Sequence, residues 1–186
     1  MRGIVLISTM ALLVFSVLSC SSEESPPTEP EQASDSGETL DKAPDFELVL
    51  FGNEDHEAGE TIKLSDYAGG PVVLNFWFPS CPPCVAEMPD FETAYQEFKE
   101  DGVEFIGVQL VGLDSVDDGQ KFVDKIGVNY SLGPDKIGDK IGDIVMEYRI
   151  SGFPTTVLID RDGNIHRRWS GALDLEKLQE LIREIM

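Results

Sequence analysis

The chain has 186 residues, 41% of them hydrophobic and 26% charged, with a formal net charge of −21. That length supports one domain with a buried core, and the apolar share belongs to a globular chain rather than a disordered one. So acidic a protein is not built to hold a phosphate backbone, so no nucleic-acid partner is expected; the charge favours solubility and neutral or basic partners.

In chain order, the first element is a targeting segment. Arg2 precedes a mostly apolar run from Ile4 to Leu18, and Val17-Leu18-Ser19-Cys20 closes it. This is the pattern of a bacterial lipoprotein signal over residues 1–20, in which Cys20 is acylated and becomes the mature N-terminus. An uncleaved anchor is the alternative, because the run approaches the roughly 18 residues that can span a bilayer. Either way the body is expected outside the cytoplasm, tied to the membrane. Residues 21–43, SSEESPPTEPEQASDSGETLDKA, offer only Ala33, Leu40 and Ala43 as apolar residues. Such a stretch cannot bury enough surface to offset its ordering entropy, so it is expected to be a disordered tether with a reach of roughly 25 Å.

From Pro44 the pattern becomes alternating elements, and residues 44–186 are expected to form the domain. Strands are predicted at 46–50 and, as its hairpin partner, 61–64. The run Val72-Val73-Leu74-Asn75-Phe76-Trp77 predicts a strand covered on both faces. Met88, Phe91, Tyr95 and Phe98 mark one stripe of a helix from about Pro82 to Glu100. A buried strand follows at 103–110. Ser115 caps a helix that ends at Ile126 before Gly127. Ile141, Ile144, Val145 and Tyr148 suggest another helix, and the string DKIG at 124–127, 135–138 and 139–142 reads as a drifting helical charge pattern. A strand at 155–159, a turn at 160–164 and a strand at 165–169 predict a hairpin. Asp174 opens a last helix carrying Leu175, Leu178, Ile182 and Ile185. The fold class is therefore α/β, a mixed central sheet with helices on both faces.

The chemistry concentrates in WFPSCPPCVAEMP, residues 77–89. If Cys20 carries lipid, Cys81 and Cys84 are the only free sulfurs. They are too few and too close for a structural disulfide framework, which leaves a redox couple or half of a metal site. Pro82 and Pro83 suit the first turn of a helix, where a missing N–H costs nothing. Cys81 then lies at the helix N-terminus, where unpaired amides and the dipole stabilise a thiolate. Cys84 lies almost one turn deeper, within reach of a disulfide to Cys81. An exposed Cys81 that attacks and a buried Cys84 that resolves are expected, with no cofactor beyond that redox-active disulfide.

LNFWFPSCPPCVAEMP, together with APDFEL at 43–48 and YRISGFPTTVLIDRDGNI at 148–165, resembles the membrane-tethered thioredoxin-like family typified by TlpA and ResA. The matches frame the whole domain. The resemblance implies a thioredoxin-like fold with an inserted strand-helix piece, and thiol-disulfide exchange outside the cytoplasm, often in cytochrome c maturation. The partners it implies are extracytoplasmic protein thiols or disulfides and a membrane electron donor. It places Pro154 as the cis-proline facing the cysteines and Phe153 as the residue whose backbone pairs with an extended substrate. It places Glu87 near the thiols, where its carboxylate would take the proton Cys84 loses. Trp77 and Pro82 complete the expected substrate contacts.

Three positions depart from the family pattern. Asn75 stands where thioredoxin has a buried acid, Ser80 where a tryptophan often precedes the first cysteine, and Phe153 where a smaller residue is common. No His, Lys or Arg neighbours Cys81 in sequence, which points to a reducing couple. Two other readings compete. A thiol peroxidase would carry Thr or Ser at Phe78, three residues before Cys81. A Cu(I)-binding module would use the two sulfurs alone, since His56 and His166 lack ligand spacing to the pair.

Overall fold

The computed structural model describes residues 41–186. The expected signal, Cys20 and the tether up to residue 40 lie outside the described residues.

Val72–Trp77 (β3) is buried at every position, as a strand covered on both faces must be. It pairs in parallel with Glu104–Gln109 (β4) and antiparallel with Thr155–Ile159 (β8). Ser131–Pro134 (β5) extends the sheet beyond β4, and Ile165–Ser170 (β9) beyond β8. The order β5-β4-β3-β8-β9 makes one mixed five-stranded sheet.

Strand alternation sends Val73, Trp77, Phe105 and Leu158 to one face. There they meet Pro82–Phe98 (α1), Val116–Ile126 (α2) and Leu175–Ile185 (α4). Leu74, Phe76, Ile106 and Val157 point the other way. That face is closed by Asp143–Glu147 (α3) and by a separate pair of strands, Glu47–Val49 (β1) and Thr61–Lys63 (β2). Helices thus lie on both faces, as expected.

The predicted helix ends hold for local reasons. Ser115 accepts from the Asp118 amide while Asp118 reaches back to the Ser115 amide, and Gly127 leaves α2 at φ 71°. Asp174 caps α4 by accepting from the Lys177 amide at 2.9 Å.

Three expectations need correction. The DKIG copies at 135–142 form a small hairpin, Lys136–Ile137 (β6) with Lys140–Ile141 (β7), not helix. The glycine ending each copy, Gly127, Gly138 and Gly142, has positive φ, so each stops the element before it. Ile141 is accordingly exposed and outside α3. Second, β5 carries no strand signal in the sequence: Ser131-Leu132-Gly133-Pro134 has no alternation, and Pro134 is tolerated because an edge strand needs fewer amide donors. Third, the domain begins before residue 44. The Ala43 amide donates to Gly163 and the Ile165 amide to Asp41, so the last residues assigned to the tether pair with the β8–β9 turn and the start of β9.

Gly133 is required by close approach: a Cβ there would overlap the Val49 carbonyl oxygen and Leu48 Cγ of β1. The backbone cannot yield cheaply, so Gly133→Ala should destabilise the domain by about 1–3 kcal/mol in urea unfolding. An unchanged midpoint would mean that β1 is not seated on β5 in solution.

Candidate active site

The end of β3 delivers the chain into a turn in which the Cys81 amide donates to the Phe78 carbonyl at 3.1 Å. Cys81 is the N-cap of α1, with extended φ and ψ of −97° and 101°, and the two prolines occupy the first helical positions. Its Sγ accepts from the Cys84 amide at 3.3 Å. One of the helix's unpaired donors is thereby aimed at the sulfur, which favours negative charge on it. Cys81 and Cys84 are joined as a disulfide, with their Cα atoms 5.3 Å apart.

The expectation of an exposed Cys81 needs correcting in degree. Cys81 keeps 4% of its surface and Cys84 none. The closed disulfide and the surrounding apolar cluster cover most of the first sulfur's residue, yet it is still the member of the pair that solvent can reach.

Glu87 follows Cys84 by three residues on α1, so the two share a helix face. It is 2% exposed rather than solvated. The Leu173 amide donates to one carboxylate oxygen and the Asn75 side-chain amide to the other, both at 2.9 Å. Burial pushes its pKa up to about 7, against the pull of those two donors. Asn75 also donates to Thr156 Oγ1 at 3.2 Å, across the β3–β8 pairing. Its own carbonyl oxygen is buried without a partner.

The Phe153–Pro154 bond is cis, and Pro154 is buried with its carbonyl accepting from the Gly171 amide. Phe153 packs against the cluster that contains both cysteines, and its ring meets Phe78 edge-on with centroids 5.3 Å apart. Pro82 is exposed beside Cys81. Trp77, expected to touch substrate, does not reach the surface: it is 0% exposed and packs on Phe122. Position 77 ends β3 on the face covered by helices, and alternation buries it. The partly exposed aromatic surface is instead the Phe78–Phe153 pair.

Sequence reading missed Asp114. From the loop between β4 and α2 it accepts both the amide and the hydroxyl of Ser80, at 3.0 and 2.7 Å. Its position after the C-terminal end of a parallel strand was the available signal, since that edge is where such sheets place their sites.

The histidines lie elsewhere. His56 contacts Ser131 at the start of β5, and His166 contacts Glu184 on α4. Among the described residues no group of three or more His, Cys, Asp or Glu is placed to hold a metal.

Residues 39–168 match the AhpC/TSA family. The thiol-disulfide oxidoreductase ResA of Oceanobacillus iheyensis is 39% identical over 145 residues, covering 78% of this chain and 71% of that one. Among solved structures, StoA of Bacillus subtilis aligns with a TM-score of 0.63 at 26% identity, over 75% of this chain and 96% of that one. The exposed lipoprotein thioredoxin Etrx1 of Streptococcus pneumoniae aligns with a TM-score of 0.64 at 26% identity, over 76% and 99%. The family match over residues 39–168, with a relative of this identity and coverage, places the chain in the AhpC/TSA family as a ResA-like thiol-disulfide oxidoreductase.

Proposed function

We propose that the protein works on the outer side of the cytoplasmic membrane, held by lipid on Cys20, and reduces disulfides in partner proteins. The observation that carries the direction is the charge around the pair: the ionisable groups bonded into its walls, Glu87 and Asp114, are both acids. Such acids oppose the thiolate whenever they are ionised and supply it no cation, which leaves the reduced form without special stabilisation and favours a reducing couple. The outer location draws support from the lipoprotein pattern at residues 1–20 and from the likeness to an exposed lipoprotein thioredoxin.

In this reading Cys81 thiolate attacks a substrate disulfide, forming a mixed disulfide and releasing one substrate thiolate. Glu87 takes the proton from Cys84, whose thiolate attacks Cys81 Sγ. The Cys81–Cys84 bond closes and the second substrate thiolate leaves, so two electrons pass from protein to substrate. A membrane dithiol donor then restores the pair. The backbone beside Pro154 and the Phe78–Phe153 pair would hold the extended substrate, with exposed Pro82 at its edge.

Two measurements test the proposal. The reduction potential should fall at or below about −200 mV; a value near −120 mV would mark an oxidant and refute the direction. Cys84→Ser should accumulate mixed disulfides through Cys81 that mass spectrometry can identify. Apocytochromes c among the trapped proteins would carry the assignment to cytochrome c maturation, and their absence from an otherwise rich set would remove it.

A further inference from the structure

We propose that Asp114 is a positioning residue for thiol exchange, clamping the turn that presents Cys81 and setting a negative charge beside its sulfur. This rests on Cys81 being the attacking thiol.

The geometry is specific. One carboxylate oxygen, Oδ2, accepts both hydrogen-bond donors of Ser80, the residue that directly precedes Cys81. The two residues are 34 apart in sequence, so the bond joins the loops at the C-terminal ends of β3 and β4. The loop bearing Asp114 is itself held. The Leu110 amide donates to the Trp77 carbonyl at 2.8 Å, and the Gly112 amide to the Asp114 carbonyl at 3.2 Å. Ser115, the next residue, is the N-cap of α2. The carboxylate is therefore a fixed arm and not a wandering surface charge.

Its electrical effect opposes the helix. The N-terminus of α1 stabilises a thiolate at Cys81, whereas a carboxylate bonded to the residue just before Cys81 opposes it. Cys84 and Glu87 share α1 with Cys81, and the Asp114 carboxylate reaches its turn from the facing loop. Ser80 is exposed and Asp114 only half-buried, so water screens the interaction and the effect is modest. Through the clamp, the charge bears on the poise of the couple without touching substrate.

The test separates charge from tether. Asp114→Asn keeps an oxygen for the Ser80 amide and removes the charge; Ser80→Ala keeps the charge and removes the hydroxyl bond. In the reduced full-length protein, the Cys81 thiol is titrated by thiolate absorbance, with alkylation and mass spectrometry mapping which sulfur reacts first. The reduction potential is measured at alkaline pH, where the thiolate is populated. Asp114→Asn should stabilise the thiolate about threefold, lowering its pKa by about 0.5. A threefold change raises the potential by about 14 mV for a two-electron couple. Ser80→Ala should leave both nearly unchanged. Equal shifts in the two variants, or none in Asp114→Asn, would overturn the charge role. If Cys84 is alkylated first, the assignment of the attacking sulfur fails, and the proposal with it.

Discussion

Cys81→Ser is expected to abolish disulfide reduction, with a loss on the order of 10³-fold or more in the reduction of a model protein disulfide. Exchange needs a thiolate at the helix N-cap, and a serine hydroxyl neither ionises there nor forms a bond to substrate sulfur. The loss cannot be charged to unfolding. The Cys81–Cys84 bond closes a loop only three residues apart in sequence, and so short a crosslink constrains the unfolded chain by about 2 kcal/mol. The rest of the core remains, including Phe91, Phe105, Leu158 and Leu178. Circular dichroism of the variant should therefore match the parent while the rate falls to background. Cys84→Ser provides the contrast: its first step should survive and stop at the mixed disulfide. Retained turnover in Cys81→Ser would mean that Cys84, completely buried in this structure, becomes accessible and attacks directly.

What was legible in the sequence is what local physics decides. The six apolar or buried positions of β3 could only be a central strand, Ser115 and Gly127 bracket α2, and two prolines after Cys81 fix a helix start. The cis bond before Pro154 followed from a family resemblance rather than from propensity. What escaped depends on contacts between distant residues. Ser131 to Pro134 becomes strand only because β4 supplies a partner and β1 lies over Gly133. Ser80 reads as a loop residue until Asp114 arrives from 34 positions away. Trp77 lies only four residues before Cys81 in the chain, yet strand alternation turns it inward. Glu87 shows both sides: its spacing from Cys84 was plain, but its burial depends on Asn75 from β3 and Leu173 from the approach to α4.

That burial makes Glu87→Gln the second large effect. Its carboxyl titrates at about 7 in the folded chain, against the 4.5 expected of an unburied glutamate. The folded state thus holds the proton through a window in which the unfolded state has released it. The stability gained below about pH 4.5 is lost as pH rises through about 7, and the shift corresponds to about 3 kcal/mol. Glu104 adds a second term of the same sign, since burial raises it to about 7 despite the hydroxyl bond from Ser131. Urea unfolding of the parent should show stability falling across this window, and Glu87→Gln should remove its own share of the fall, leaving those of Glu104 and of Asp135, whose carboxyl burial also raises. The site can accommodate the neutral side chain: the unpartnered Asn75 oxygen becomes available to a donor at position 87 if its amide turns over. The same substitution should slow the resolving step by about 10²-fold at neutral pH, because no carboxylate remains to accept the Cys84 proton. In the parent that step should accelerate with pH through about 7, and Glu87→Gln should lose this inflection and rise instead only with direct ionisation of Cys84 at higher pH. The decay of the mixed disulfide, followed across pH, reads this directly. If the variant gains stability at pH 8 but resolves at the parental rate, Glu87 is a buried charge that the fold tolerates and not the base that serves Cys84.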